Sequence, residues 1–447
     1  MDREREVTSG PPLVRALGPW AAASLVVGTI IGTGIFLKTS VMAQVGGSAG
    51  WVLAAWVCAG GLSLFGALTY AELGAMFPRA GGEYVFLREG YGSAVAYLYA
   101  WNRFWIGTPG SIAAYAVGTA TFLHVLVPSV PNTQLAIALI VLFSGVNCLE
   151  VRTGGWLQTA LTAMKVAMIG GLAFGALALA HGGDWSRVTE TGNGFPGMSA
   201  FGAMVLSALW AYDGWNNLPM AAGEVREPQK NLPRALVWGS LGVLVIYMLV
   251  NVGYFHALPF AEVVAPNGTS IAQRTATQFL GGPAQALLAT AMGISAISAM
   301  NGSMLTGARV PYAVAADGLA PKILAHVAPR ARVPQVAVVI QGAIACGYAM
   351  LGTFDQLTDA VVFASWLFYA LNAGTVLLLR RRVPDRARSF RVPGYPIVPV
   401  IFMALALLLL VNAVWTAPTP SALGLAVTAM GALVYAVFLR ERVRGTS

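Results

Sequence analysis

The sequence predicts an all-helical integral membrane protein that crosses the bilayer about twelve times. Of its 447 residues, 57% are hydrophobic and only 10% are charged, and the mean hydropathy is +0.68. A soluble domain carries about 25% charged residues, so this composition is typical of a chain that lies mostly in lipid. The apolar windows are also about 20 residues long, which is the length that a helix needs to cross a bilayer.

Twelve apolar windows are predicted as membrane spans and are numbered in chain order. The N-terminus lacks the short apolar core and cleavage site of a signal peptide, so we expect span 1 to be retained. Cys58, Cys148 and Cys346 lie in separate apolar segments, and their spacing predicts neither a metal site nor a disulfide framework. The windows lie near residues 17–37, 50–76, 93–127, 133–149, 157–180, 199–222, 235–258, 285–313, 334–352, 359–379, 397–416 and 422–439.

The basic residues are distributed asymmetrically between the loops. The formal net charge is +9, and with both termini placed in the cytoplasm most of the 27 Lys and Arg residues fall on that side. The densest run lies in residues 380–391. Cytoplasmic loops of membrane proteins carry such an excess. We therefore predict a multi-pass protein of the plasma or inner membrane with cytoplasmic termini, and the charge does not indicate a nucleic-acid partner.

Two of the spans are interrupted by glycines and polar residues. Residues 28–36 in span 1 include Gly28, Gly32 and Gly34, and residues 210–219 in span 6 read Trp-Ala-Tyr-Asp-Gly-Trp-Asn-Asn-Leu-Pro. Backbone that leaves a helix costs several kcal/mol in hydrocarbon unless protein or a cavity satisfies it. The two interruptions, called the first and second breaks, therefore predict a binding site.

The breaks lie five spans apart, so spans 1–5 and spans 6–10 are predicted to have opposite orientations. Paired broken helices in two inverted halves are typical of secondary transporters with a site at the bilayer midplane. The predicted divisions of the chain are a cytoplasmic N-terminus (1–16), a transporter core (17–380) with repeats of about 17–180 and 199–380, a cytoplasmic linker (381–396), spans 11 and 12 (397–439) and a cytoplasmic C-terminus (440–447).

Several motifs occur in the order that they have in one family of transporters. They are residues 28–36, residues 77–84 (FPRAGGEY), residues 211–216 (AYDGWN), residues 224–235 (EVREPQKNLPRA) and residues 301–303 (NGS). In these motifs the chain resembles the amino acid-polyamine-organocation transporters, and most closely the L-type amino acid transporter family. The resemblance implies an all-helical LeuT-like fold with two inverted five-span repeats, in which helices 1 and 6 are discontinuous. It also implies amino acid transport, no enzymatic activity, no metal and no cofactor.

An amino acid zwitterion needs hydrogen-bond donors at its carboxylate and acceptors at its ammonium group. The amides that begin a half-helix and the carbonyls that end one supply both. The resemblance implies that the amides of Thr33 and Gly34 and the Thr33 hydroxyl bind the carboxylate, beside Ile31 and Gly32. It also implies that the carbonyls of Ile30, Trp210 and Asp213 bind the amine.

Other interpretations of the two breaks stay open. Gly28 and Gly32 have the spacing of a helix-packing seam, although the run of residues 32–34 is denser than a seam needs. Trp210 matches the aromatic residue that caps the substrate from outside in the family, and the alternative is an interfacial or core tryptophan.

Asp213 in the second break distinguishes this chain from many animal relatives, which have glycine there. Its carboxylate either favours cationic substrates or caps the half-helix that follows, and we favour capping. Asn216, Phe363 and Trp366 are candidate gate residues. For Phe363 and Trp366, ordinary core packing is an equal alternative.

Lys165 lies deep in span 5. A lysine at the centre of a span costs about 2.5 to 3.5 kcal/mol on insertion, so it usually has a partner or a function. The resemblance places it, with Tyr247 of span 7, where sodium-coupled relatives hold a sodium ion, which implies sodium independence. It would act either as a fixed charge at the carbonyls of span 1 or as a proton carrier. The alternative is that its side chain extends to the cytoplasmic interface.

Charged residues near the ends of spans 2 and 3 predict a further feature. Glu72, Arg79 and Glu83 are expected to form one ion-pair network at the cytoplasmic face, whereas the sequence assigns no partner to Arg103. Residues 46–50 match a nucleophile-elbow pattern but join two helices rather than a strand and a helix. An intramembrane enzyme and a channel, which needs a continuous polar pathway, are therefore remote alternatives.

The sequence thus predicts a sodium-independent carrier that exchanges L-amino acids by alternating access. Neutral substrates are favoured, because Asp213 is the only charge placed to meet a substrate side chain. The alternative is a proton-coupled symporter that extends to cationic amino acids. The loop between spans 3 and 4, residues 128–133, contains no cysteine, so we expect no covalently linked accessory subunit. The predicted partners are the amino acid substrate and the lipid bilayer.

Overall fold

The computed structural model is all-helical over the residues that it describes, which are 13–124, 127–190, 192, 194–265, 270–352, 354–416 and 418–439. In these residues the β-structure is limited to one isolated bridge between Leu17 and Val225. Phe363 falls in a helix, but its side chain lies outside the described ones. The C-terminal residues 440–447 also lie outside the described residues.

Seven helices of the described chain are long and apolar enough to cross a membrane. They account for spans 1, 2, 5, 7, 8, 11 and 12. Their bounds are Pro19–Gly46, Ala49–Met76, Val151–Ala178, Pro228–Ala257, Ala284–Ala316, Ile397–Trp415 and Ser421–Leu439. An all-helical membrane protein is therefore confirmed, and the count of twelve spans stays a prediction.

The remaining predicted spans are shorter or built from several pieces. Span 3 is interrupted by a π-helix, and span 6 stops in the middle. In span 3 the cause is the wide turn at residues 103–107, and in span 6 it is the second break. The helices are Glu83–Tyr91 before span 3, Ser93–Asn102 and Thr108–Leu123 in span 3, Asn132–Asn147 in span 4, Met198–Tyr212 and Asn217–Met220 in span 6, Gln335–Leu351 in span 9 and Phe354–Arg382 in span 10.

Two hydrophobic clusters organise the packing. The larger includes residues of spans 1, 2, 6 and 7 and extends to spans 10 and 11. The smaller joins spans 3, 4, 8 and 9 through residues such as Ile112, Ile140, Met300 and Ala345. The first half of span 1 packs against spans 5, 7 and 8, and its second half packs against the first half of span 6. The first break consequently lies among spans 5, 7 and 8 and the first half of span 6.

The predicted network of Glu72, Arg79 and Glu83 is wrong. The Glu72 carboxylate accepts two hydrogen bonds from Arg380, at 2.8 and 2.7 Å, and lies 3.3 Å from Arg388 Nε. Arg79 pairs with Glu89 at 3.0 Å, and Glu83 accepts a hydrogen bond from span 6. Each of the three has a different partner, and the partners of Glu72 and Glu83 come from distant parts of the chain that pack against spans 2 and 3.

Candidate functional site

The first break divides span 1 into two helices. The first helix ends at Ile30 and the second begins at Gly34, so residues 31–33 have no helical conformation. Thr33 is the N-cap residue of the second helix and its side chain makes no capping hydrogen bond. The first amides of a helix have no intrahelical acceptor. The amides of Thr33 and Gly34 therefore have no acceptor within their helix, and their binding of a carboxylate stays a prediction.

The glycines of the first break have different surroundings. A Cβ atom on Gly28 would lie 2.2 Å from Gln158 Nε2 of span 5, so Gly28 allows close helix packing. A Cβ atom on Gly32 would meet only ordinary contacts, the nearest at 3.4 Å from Tyr115. The packing interpretation therefore holds for Gly28 and does not explain Gly32.

Lys165 lies at the end of the first half-helix and is fully buried, with 0% exposure. Its Nζ donates hydrogen bonds to the carbonyl oxygens of Gly28 and Ser295, both at 2.8 Å, and to that of Ile31. The side chain thus does not extend to the interface. A buried charge persists when hydrogen bonds compensate for the lost water, and here the compensation comes from backbone of spans 1 and 8.

Ser295 completes the contacts of the first break and was not predicted from the sequence. Its hydroxyl lies 3.1 Å from the carbonyl oxygen of Ile31 and 3.0 Å from that of Gly32. Span 8 carries buried polar residues at positions 295, 298 and 301. A spacing of three places them on one helical face, and this pattern is the signal that would have found them.

The second break ends the first half of span 6 at Tyr212 and restarts a helix at Asn217. Gly214 has a φ angle of 123°, and a Cβ atom there would lie 2.6 Å from the carbonyl oxygen of Thr29. L-residues with a side chain rarely adopt that φ angle. Glycine is therefore required at this position both by the backbone conformation and by the contact with span 1.

Direct contacts join the two breaks. The Thr29 hydroxyl donates to the carbonyl oxygen of Gly214 at 2.8 Å. The Tyr247 hydroxyl of span 7 lies 3.3 Å from the carbonyl oxygen of Ile30 and 3.0 Å from that of Ala211. Tyr247 therefore holds both breaks together rather than contacting Lys165. Each carbonyl oxygen has two lone pairs, so Ile30 retains an acceptor site for an amine.

Asp213 does not have the capping role that we favoured. Its Oδ1 atom accepts a hydrogen bond of 2.7 Å from the Tyr369 hydroxyl of span 10. The following helix has Asn216 as its N-cap residue and has no side-chain capping hydrogen bond. Asp213 lies instead at the C-terminal end of the first half-helix, with its backbone extended. The carboxylate thus connects the second break to span 10, a contact that local sequence does not specify.

The asparagines of the second break contact charged side chains from outside span 6. Asn216 Nδ2 donates to Glu83 Oε1 at 3.3 Å, and Arg103 Nη2 donates to Asn217 Oδ1 at 2.7 Å. All four side chains are at most 7% exposed. Arg103 therefore has a partner that the sequence did not identify.

The structure describes the side chains of two of the three aromatic candidates, Trp210 and Trp366. Trp210 is partly buried at the end of the first half-helix, and its carbonyl oxygen accepts the Asp213 amide at 3.3 Å. Trp366 is 8% exposed, and its ring centroid lies 5.3 Å from that of Tyr369, as in a packed core. The gate roles of Trp210, Asn216 and Trp366 stay predictions, and the side chain of Phe363 lies outside the described ones.

Two interrupted helices that meet beside a buried cation, within a bundle of apolar helices, define the class of this molecule as a membrane transporter. Residues 17–439 match the family model described as amino acid permease. The chain belongs to this family, which confirms the resemblance to the amino acid-polyamine-organocation transporters. Its relatives are transporters and not enzymes.

Relatives of known function cover nearly the whole chain. The b(0,+)-type amino acid transporter 1 of Homo sapiens is 30% identical over 427 residues, which are 93% of this chain and 87% of that protein. The serine/threonine exchanger SteT of Bacillus subtilis is 32% identical over 88% of this chain and 89% of its own length. The cystine/glutamate transporter of Homo sapiens is 27% identical over 93% of this chain and 83% of its own length.

Proposed function

We propose that the protein is a sodium-independent exchanger of neutral L-amino acids. Its relatives include a serine/threonine exchanger and a b(0,+)-type amino acid transporter, and substrate exchange is the activity that we transfer to this chain. In this proposal twelve spans include two inverted five-span repeats with a LeuT-like arrangement, followed by spans 11 and 12.

The observation that carries the proposal is the position of the Lys165 ammonium group. It lies between spans 1, 5 and 8, and it donates to the carbonyl oxygens of Gly28, Ile31 and Ser295. Backbone carbonyl oxygens that end half-helices coordinate sodium in transporters with broken helices. A tethered ammonium group at these oxygens supplies the positive charge itself, so transport needs no sodium ion.

The substrate is proposed to lie between the two breaks. Its carboxylate accepts from the amides of Thr33 and Gly34 and from the Thr33 hydroxyl. Its ammonium group lies near the carbonyl oxygens of Ile30, Trp210 and Asp213. The Asp213 carboxylate accepts a hydrogen bond from Tyr369 and is balanced electrostatically by Arg103, which supports neutral rather than cationic side chains.

The membrane topology is also part of the proposal. The basic loops support cytoplasmic termini in a plasma or inner membrane, with residues 381–396 as a cytoplasmic linker. A relative is named a small subunit of a neutral amino acid transporter. The loop of residues 128–133 has no cysteine, and on that ground we propose no covalent accessory subunit.

The test is uptake of radiolabelled L-serine, L-leucine and L-lysine into proteoliposomes without sodium. We expect uptake of the two neutral amino acids only when the vesicles contain unlabelled neutral amino acid. Equal uptake into empty vesicles under an inward proton gradient would instead establish proton symport. Uptake that requires sodium would contradict the role of Lys165. A Lys165→Ala variant tests the ammonium group in the same assay. Its matched control is Lys230→Ala, because the Lys230 side chain is 56% exposed.

A further inference from the structure

A buried polar cluster lies beside the second break, and its charged side chains have no role in the proposed transport site. It consists of Glu83, which begins the short helix before span 3, Arg103 of span 3, and Asn216 and Asn217 of span 6. Glu83 is 1% exposed and Arg103 is 7% exposed. Moving such charges out of water is costly unless each is paired and hydrogen-bonded. The protonation states of Glu83 and Arg103 therefore depend on how their charges are balanced.

Arg103 is not paired with a carboxylate. Its Nη2 atom donates to the neutral amide oxygen of Asn217 at 2.7 Å, and its buried Nε atom has no hydrogen-bond partner among the described residues. No carboxylate oxygen of the described chain lies within 4.0 Å of its guanidinium nitrogens. Two carboxyl groups, Glu83 and Asp213, nevertheless act on it electrostatically. If all three groups are ionised, the cluster has one uncompensated negative charge.

Neutral groups make up most of the surroundings of Glu83. The groups that face it are the Tyr70 hydroxyl of span 2, Tyr99 and Arg103 of span 3, and the Asn216 amide of span 6. Tyr369 of span 10 also acts on it electrostatically. The Asn216 amide donates to it at 3.3 Å, which is long, and the Tyr70 and Tyr99 hydroxyls face it as further neutral donors. Arg103 does not pair with it directly, so neutral donors alone hydrogen-bond the buried carboxyl group.

Asp213 is more exposed than Glu83 and has a shorter hydrogen bond. It is only partly buried, and it accepts from the Tyr369 hydroxyl at 2.7 Å and from the Gly214 amide. Hydrogen bonds to a carboxylate favour its ionised form. Of the two carboxyl groups, Glu83 is therefore the better place for a proton and Asp213 the better place for a charge.

A small cavity adjoins the buried pair. It is lined by Glu83, Tyr99, Asn102, Arg103, Ser365 and Phe368, together with Gly107. Its size suits about one water molecule, and five of its seven lining residues have polar side chains that can hydrogen-bond such a molecule. A water molecule in this cavity would lie next to Glu83 and is placed to donate a proton to it or to accept one from it.

We propose that Glu83 is a proton-binding site linked to the binding of the substrate ammonium group at the second break. This inference rests on the proposed function. When no ammonium group is bound there, Glu83 is a neutral carboxylic acid and the charges of Arg103 and Asp213 balance. When the ammonium group binds beside Asp213, the Glu83 O–H bond breaks, the proton leaves to water, and the Glu83 carboxylate balances Arg103. The cluster is neutral in both states.

The pH range follows from the surroundings of Glu83. The residue lies between spans 2 and 3, outside the membrane-spanning segments, and burial raises its pKa from 4.5 to about 6, while Arg103 acts in the opposite direction. An added positive charge at the second break favours the carboxylate and lowers this pKa. Proton release on substrate binding is therefore expected near pH 6, between the pKa of the free state and the lower pKa of the bound state, with little release at pH 7.5.

Isothermal titration calorimetry of the purified full-length protein tests this inference. L-serine and L-leucine are titrated as a mixture, in buffers of different ionisation enthalpy, at pH 6.0 and 7.5. The slope of observed enthalpy against buffer ionisation enthalpy gives the number of protons released. We expect about half a proton per binding event at pH 6.0 and less than about 0.1 at pH 7.5, as for a group with a pKa near 6.

The outcomes separate this inference from the proposed function. The absence of any binding heat would contradict the proposed substrates, whereas binding with a zero slope at pH 6.0 would overturn only the Glu83 site. Glu83→Gln, which mimics the neutral acid, is expected to bind with zero slope at both pH values. Release that persists in Glu83→Gln would place the proton elsewhere, for example on Lys165.

Two further variants keep the test decisive. If Glu83→Gln does not fold, Glu83→Asp retains a titrating group in a changed environment and is expected to shift the pH of half-maximal release. An unshifted profile would overturn the assignment. Glu89→Gln is the matched control on the same short helix, because its carboxylate pairs with Arg79 and Arg386 and is 31% exposed. It is expected to release protons as the unmodified protein does.

Discussion

The Lys165→Ala variant is expected to fold and to lose exchange. The ammonium group donates to three carbonyl oxygens, but only one of them depends on it. The Ser295 carbonyl lies inside a continuous helix and keeps its helical donor, and the Ile31 carbonyl keeps the Ser295 hydroxyl at 3.1 Å. Gly28 is among the last four residues of its helix, where carbonyls lack helical donors.

The stability cost is therefore that of one unsatisfied buried acceptor, about 1 to 3 kcal/mol. It is partly offset because the variant no longer buries a charged group. Unfolding free energies of about 5 to 15 kcal/mol are common for folded domains, so the variant should remain folded. Transport should nevertheless fall to the level of protein-free liposomes, because the positive charge beside the first break has gone.

The assay compares counterflow of L-serine and L-leucine in proteoliposomes with the melting temperature in detergent, for Lys165→Ala and Lys230→Ala. Unchanged exchange by Lys165→Ala would refute the role of the ammonium group. Loss of the folded state would refute the conclusion that only one of the three carbonyl oxygens depends on Lys165. Lys230→Ala should match the unmodified protein in both measurements.

The other predictions concern Gly214 in the second break and the buried ion pair of Glu224 and Arg309. Gly214→Ala should abolish exchange and lower the melting temperature, because its φ angle of 123° is strained for alanine and the new Cβ would lie 2.6 Å from the carbonyl oxygen of Thr29. The control is Gly202→Ala, since a Cβ atom at Gly202 on the first half-helix would lie in open space. Equal exchange by the two variants would contradict the prediction. Glu224 and Arg309 form an ion pair at 2.8 Å with side chains that are 0% and 1% exposed, and breaking such a pair costs about 3 to 5 kcal/mol. Glu224→Gln should therefore lower the unfolding free energy more than the double variant with Arg309→Met does, as chemical denaturation would show. A larger loss in the double variant would indicate that the two side chains do not stabilise each other.

The candidate site was predicted in part because some of its properties are local. Glycines and polar residues, which are dense at positions 28–34 and 210–217, are poor helix formers, and backbone freed at that depth needs protein partners because hydrocarbon cannot satisfy it. The depth of Lys165 follows from a rise of about 1.5 Å per residue along its span. The partners of Asp213 and Arg103 could not be predicted in this way, because their contacts join spans that are far apart in the sequence.

The sequence by itself determined that the protein lies in the membrane, where its two broken helices fall and which family it resembles, because composition, hydropathy and motif order are written along the chain. Only the tertiary structure decided that Lys165 contacts spans 1 and 8, that Asp213 accepts from Tyr369, and that Glu83 lies near Arg103 without an ion pair. Each of these depends on which helices pack together. A buried polar group takes the nearest available partner in space, and that partner is set by packing rather than by distance along the chain.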